Sequence, residues 1–124
     1  MKIQESAEMY LETILILSGK NHQVRSIDIA NELNYAKPSV SVAMKNLREN
    51  GYIEMDSDMY ITLTEKGREI AEEIYERHTL LSKWLVLLGV DEKIASEDAC
   101  RIEHVISAES FEAVKKHFND YSSN

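Results

Sequence analysis

Two helical segments separated by a three-residue connection, followed at once by two short alternating runs, narrow the architectures open to this chain more than any other feature. Ser26 reads as the N-cap of a helix through Ile27-Asp28-Ile29-Ala30-Asn31-Glu32-Leu33. Asn34-Tyr35-Ala36 is a tight connection. Pro38 fits the first turn of the next helix, which carries Ser39 to Glu49 and stops at Asn50-Gly51. Tyr52-Ile53-Glu54-Met55 and Met59-Tyr60-Ile61-Thr62-Leu63 then alternate apolar and polar residues on either side of Asp56-Ser57-Asp58, as the arms of a hairpin do.

The flanking segments are helical. Upstream, Ala7, Met9, Tyr10, Ile14 and Leu17 recur at helical spacing, Gly19-Lys20-Asn21 stops that helix, and Gln23-Val24-Arg25 is a short extended piece. Downstream, Thr64 caps a long helix through Ile70, Ile74, Leu80, Leu81, Trp84 and Leu88 to the terminator Gly89. Asp91 starts another helix, through Ile94 to Ile106, and Ser107 caps a last one carrying Phe111, Val114 and Phe118. This order predicts a mostly α fold with a small β-wing. Residues 1–66 form an N-terminal winged helix-turn-helix with Pro38 to Arg48 as its recognition helix, and residues 67–124 form an all-helical dimerisation domain.

With 124 residues, 44% apolar and 29% charged, the chain is long enough to bury a real interior and too apolar for wholesale disorder. No apolar run approaches the roughly 20 residues of a membrane span, and the N-terminus carries no secretory pattern. Cys100 is the only cysteine, so an intramolecular disulfide is excluded and a reducing cytoplasm is the expected home. The net charge of -8 looks hostile to nucleic acid, but it is unevenly spread. Residues 21–68 carry six Lys/Arg against seven Asp/Glu, whereas residues 69–124 carry six against twelve. The acid is concentrated away from the helix-turn-helix.

In Cys100-Arg101-Ile102-Glu103-His104 a helix would put the thiol, the carboxylate and the imidazole on one face, at spacings of three and four residues. A soft sulfur, a hard oxygen and a borderline nitrogen together suit a transition metal. Three protein ligands are rarely a full shell, so another segment should supply the rest.

On the recognition helix, Lys37, Pro38, Ser39 and Ser41 lie near the N-terminus, where base edges are reached. Val42 faces the groove if Ser39 does and otherwise belongs to the core, and Arg25, Lys45 and Arg48 suit phosphate contacts. Leu81, Trp84, Leu85 and Leu88 exceed what so small a domain needs for its own core, and a two-fold partner would cover them. A homodimer would then place two recognition helices in successive major grooves of a palindromic double-stranded operator, about 34 Å apart.

Glu8-Met9-Tyr10-Leu11, Arg77-His78 and Ala99-Cys100-Arg101-Ile102-Glu103-His104-Val105 together resemble the diphtheria toxin repressor family, over essentially the whole length from Glu5 to about Phe118. The resemblance implies a metal-dependent winged-helix transcriptional regulator, in a short form without the SH3-like domain that some members carry. It maps the primary metal site to Met9, Cys100, Glu103 and His104. That set resembles the iron branch, since the manganese branch has carboxylates where Met9 and Cys100 stand. The iron branch's second site meets Ser82 and Ser96 here, whereas the manganese branch's version retains Glu12 and His78, so a hybrid site of Glu12, His78 and Glu103 is implied.

The function expected is a repressor of metal-uptake or metal-homeostasis genes. Fe2+ or Mn2+ bridging the two domains activates it for operator binding, and Co2+, Ni2+ or Zn2+ substitute in vitro. Thioether and thiolate favour Fe2+ over Mn2+. Two alternatives share the residues: a winged-helix regulator answering thiol oxidation or an organic ligand through Cys100, and a small metalloenzyme. An enzyme is not expected, because no Ser-His-Asp arrangement, phosphate loop or H-E-x-x-H pattern occurs, and neither a small-molecule substrate nor a membrane is an expected partner.

Overall fold

The computed structural model describes residues 5–20 and 23–122. Met1 to Gln4 and Asn21 lie outside the described residues. Among the described residues six helices and two strands follow in the order α1 (Glu5–Lys20), α2 (Ser26–Leu33), α3 (Lys37–Glu49), β1 (Ile53–Met55), β2 (Ile61–Leu63), α4 (Glu65–Leu87), α5 (Glu92–Ile102) and α6 (Ala108–Ser122). This is the expected mostly helical fold with a small wing. Two compact units divide after Glu72, inside α4.

In the first unit Leu11 and Ile14 of α1, Ile29 of α2, and Val40, Met44 and Leu47 of α3 pack with Val24, Ile53 and Ile61 into one core. The α3 contributions fall at i, i+4 and i+7, the spacing that gives one helix face to the interior. Asn34, in the left-handed conformation at φ 58°, ends α2, and the chain re-enters a helix at Lys37. Ser26 is not the cap. Arg25 holds that position, and its backbone N–H donates to Asp28 at 2.9 Å, so the acid three residues on organises the helix start. Pro38 occupies the first turn of α3 as expected.

The wing pairs Ile53 with Leu63, Glu54 with Thr62 and Met55 with Ile61 in antiparallel register. Ile53 and Ile61 point into the core while Glu54 and Thr62 stay exposed, the alternation the sequence carried. Val24 adds an isolated bridge, its carbonyl accepting from Ile61 N at 2.7 Å. In the turn, Asp56 Oδ1 accepts from Asp58 N at 2.9 Å and Tyr60 N at 3.0 Å, so that carboxylate is engaged in closing the loop. Thr64 caps α4: its hydroxyl donates to Gly51 O at 2.7 Å and accepts from Gly67 N at 3.2 Å. Gly67 is needed there, because a Cβ would overlap the carbonyl oxygen of Tyr52. Tyr10 meets Tyr35 edge to face at 6.1 Å, and burial, with a smaller contribution from Tyr35, raises the Tyr10 pKa.

In the second unit Leu81, Ala99 and Phe111 form the centre of a smaller core with Leu80, Ile102, Ile106 and Val114. Leu81 is 1% exposed, so it serves this interior and is not available for the dimer face expected of it. Gly89, at φ 104°, closes α4: Gly89 N reaches Val86 O at 2.9 Å and Val90 N reaches Leu85 O at 3.0 Å. Asp91 accepts from Lys93 N at 3.1 Å, and Ser107 Oγ from Ser110 N at 3.1 Å, capping α5 and α6 as read. Lys115 of α6 donates to Glu76 of α4 at 3.1 Å, which raises the lysine pKa. The fifth helix ends at Ile102 rather than Ile106, and residues 103–106 form a turn.

Candidate metal centre

The early end of α5 shapes the site. Cys100 is half-buried in the last helical turn, while Glu103 and His104 come from the turn just beyond it. One ligand atom from each of Cys100, Glu103 and His104 lies within 4.8 Å of the others. The Glu103 side chain has no solvent exposure and that of His104 is 4% exposed. Oε1 of Glu103 is 3.3 Å from His104 Nε2 and, among the described residues, makes no hydrogen bond. Oε2 lies 2.8 Å from Nδ1 of His78 on α4; with the proton on Nδ1, the imidazole donates to the carboxylate.

This geometry fits a divalent cation. Enclosing a carboxylate costs several kcal/mol unless its charge is offset, and here one oxygen is held by an imidazole while the other lies 3.3 Å from a second imidazole. The donor set is S, O and N in one place, a mixture that borderline transition ions accept. Sequence reasoning placed His78 only in a second site, yet it directly holds the central ligand. The hybrid site implied by the resemblance had grouped His78 with Glu103, although no spacing in the sequence pairs them.

Met9 and Glu12 belong to α1 in the first unit, three residues apart and so on one side of that helix. Met9 is half-buried, and its carbonyl accepts from Thr13 Oγ1 at 2.8 Å. Glu12 is 6% exposed, unusual for a carboxylate, and lies between the buried Leu11 and Thr13.

The residues expected to face DNA divide cleanly from the core. Lys37, Pro38, Ser39, Ser41, Val42, Lys45 and Arg48 are all exposed on α3, and Val42 is 61% exposed, which removes it from the interior. That face carries three cations and no carboxylate until Glu49. Arg25 is also exposed, with its guanidinium carbon 4.3 Å from the ring centroid of Tyr60, so it is steered toward the wing. Of the residues expected at a dimer face, Trp84 and Leu85 are half-buried and Leu88 is 60% exposed.

Two family models cover this chain. Residues 2–59 match the N-terminal DNA-binding domain of iron-dependent repressors, and residues 64–124 match their metal-binding and dimerisation domain. The chain belongs to the iron-dependent repressor family. It is 39% identical to an HTH-type transcriptional regulator of Methanocaldococcus jannaschii, over 91% of this chain and 92% of that one. It is 34% identical to the transcriptional regulator MntR of Escherichia coli, over 90% of this chain and 72% of MntR. Among solved structures, the manganese regulator SloR superposes with a TM-score of 0.81 at 28% identity, covering 96% of this chain and 55% of SloR. The chain thus spans little more than half the length of that structural relative. Members of the family are metal-dependent transcriptional regulators, not enzymes, and they bind DNA and dimerise through the C-terminal domain. Among the described residues no helix is long and apolar enough to cross a membrane.

Proposed function

We propose that this chain is a metal-activated repressor of metal-uptake or metal-homeostasis genes, with Cys100, Glu103, His104 and Met9 holding Fe2+, or in its place Mn2+. The observation that carries the reading is Glu103: a carboxylate without solvent exposure, set among a thiol and two imidazoles. Thioether and thiolate donors favour Fe2+ over Mn2+ and admit Co2+, Ni2+ or Zn2+ in vitro. Glu12 and His78 are the candidates for a second ion, and the burial of Glu12 supports its inclusion.

A bound divalent ion supplies positive charge and a demand for several donors at once. Met9 sits on α1 beside the DNA-binding elements, whereas the other three ligands sit on α5 and its following turn. Ligands divided between residues 1–66 and 67–124 couple occupancy to the arrangement of the two parts. Ion at about 100 times its dissociation constant supplies about 2.7 kcal/mol of bias, enough for a transcriptional switch. Ser39, Ser41 and Val42, beside Lys37 and Pro38, read base edges, while Arg25, Lys45 and Arg48 hold phosphates. Trp84, Leu85 and Leu88 contribute to a homodimer that presents two α3 helices to a palindromic operator. The cytoplasm is the matching compartment, since it keeps Cys100 reduced.

Operator-shift assays on anaerobic protein test this. Fe2+ should restore a shift abolished by chelator, and Cys100→Ala or Met9→Ala should remove the metal response. A shift indifferent to chelator would exclude the proposal.

A further inference from the structure

We propose that Arg77 is a positioning residue for the metal centre, fixing through two backbone carbonyls the turn that carries Glu103 and His104. The inference rests on the metal reading above.

Because α5 ends at Ile102, the carbonyls that follow have no helical donors of their own. Arg77 Nη1 donates to the carbonyl of Glu103 at 3.2 Å and to that of Ile106 at 3.0 Å, the two ends of the turn. Its Nη2 lies 3.3 Å from Glu73 Oε1, one helical turn earlier on α4. Its guanidinium carbon is 5.5 Å from the Phe111 ring centroid. The side chain is only 11% exposed, so the fork is held from several directions. A cation at the end of α5 also meets the negative end of the helix dipole.

Arg77 and His78 are consecutive on α4, and they grip the same residue in two ways. Arg77 takes the main chain of Glu103, and His78 takes its carboxylate. Together they leave the ligand little freedom in either the backbone or the side chain. Nε of Arg77 is buried and makes no hydrogen bond among the described residues, a cost that an aliphatic side chain here would avoid. Lysine keeps the charge but lacks the planar fork that stacks and donates at once. Outer partners that orient metal ligands commonly govern affinity by 10- to 100-fold, roughly.

The test uses Co2+ as a spectroscopic probe with full-length wild type, Arg77→Lys and Arg77→Gln, alongside thermal melts of the metal-free proteins. Arg77→Lys should melt close to wild type, bind Co2+ roughly 10- to 100-fold more weakly, and show altered d–d bands. Arg77→Gln should exceed Arg77→Lys in both effects. Unchanged Co2+ affinity and spectrum in folded Arg77→Lys would overturn the inference. So would a lowered melting temperature with unchanged affinity, which would make Arg77 a stability contact alone. Failure of the wild type to bind Co2+ with a thiolate charge-transfer band would instead sink the metal reading, and this inference with it.

Discussion

Nδ1 of His78 stands 2.8 Å from Oε2 of Glu103, a carboxylate with no exposure to solvent. This pair joins α4 to the turn after α5, and it leaves Oε1 of Glu103 on the side of His104. His78→Ala should therefore act in two ways. It leaves a buried acceptor without its imidazole, lowering metal-free stability by about 1–3 kcal/mol. It should also weaken metal binding by roughly 10- to 100-fold. Urea denaturation and a Co2+ titration measure the two effects separately, and retention of both wild-type values would show that the contact has no energetic role.

Replacing Cys100 by serine changes the chemistry of one donor while nearly conserving its volume. Soft donors discriminate against Mn2+, so Cys100→Ser should lose affinity for Fe2+ and Co2+ far more than for Mn2+. Competition titrations with the three ions read the ratio. Equal losses for all of them would mean that the thiol does not set selectivity.

On α3, Lys45 and Ser41 are both exposed but are assigned different work. Lys45→Ala should weaken binding to operator and to unrelated DNA alike, and should lower the slope of log affinity against log salt by about 1. Ser41→Ala should change preference among operator variants with little change in salt slope. Binding isotherms at several salt concentrations distinguish them; a salt-slope change on Ser41→Ala with none on Lys45→Ala would reverse the assignment.

Gly67 tests the account of the wing's junction with α4. A methyl group there meets the carbonyl oxygen of Tyr52, which is part of the backbone and cannot swing aside. Gly67→Ala should cost about 1–3 kcal/mol by overpacking, despite the better helix propensity of alanine. Chemical denaturation measures it, and a variant as stable as wild type would show that the hairpin end shifts freely.

The elements were legible because their signals are local. Pro38, the alternation around Asp56-Ser57-Asp58 and the caps at Thr64, Asp91 and Ser107 each act within a few residues, and each appears in the fold. Apart from the cap of α2, which falls on Arg25 and not Ser26, what misled was long-range. Leu81 looks like surplus surface in a helical pattern, but Phe111 and Ala99, distant in sequence, enclose it. The end of α5 at Ile102 has no local stop residue, and the carbonyls of Glu103 and Ile106 in the turn beyond it accept from Arg77, far upstream. The cluster of Cys100, Glu103 and His104 survives that change, since a tight turn keeps their ligand atoms within 4.8 Å of one another. His78 and Glu103 were grouped only through the family resemblance, as spacing within one helix says nothing of pairs on two.

Met9 and Cys100 are far apart in sequence, and the proposed switch depends on one ion taking both sulfurs. X-ray absorption at the iron edge, on anaerobic Fe2+-loaded protein, counts sulfur neighbours directly. Wild type should show two Fe–S contributions and Met9→Leu one, with the nitrogen and oxygen shell retained. A sulfur shell identical in the two proteins would contradict the bridging of the two parts by metal.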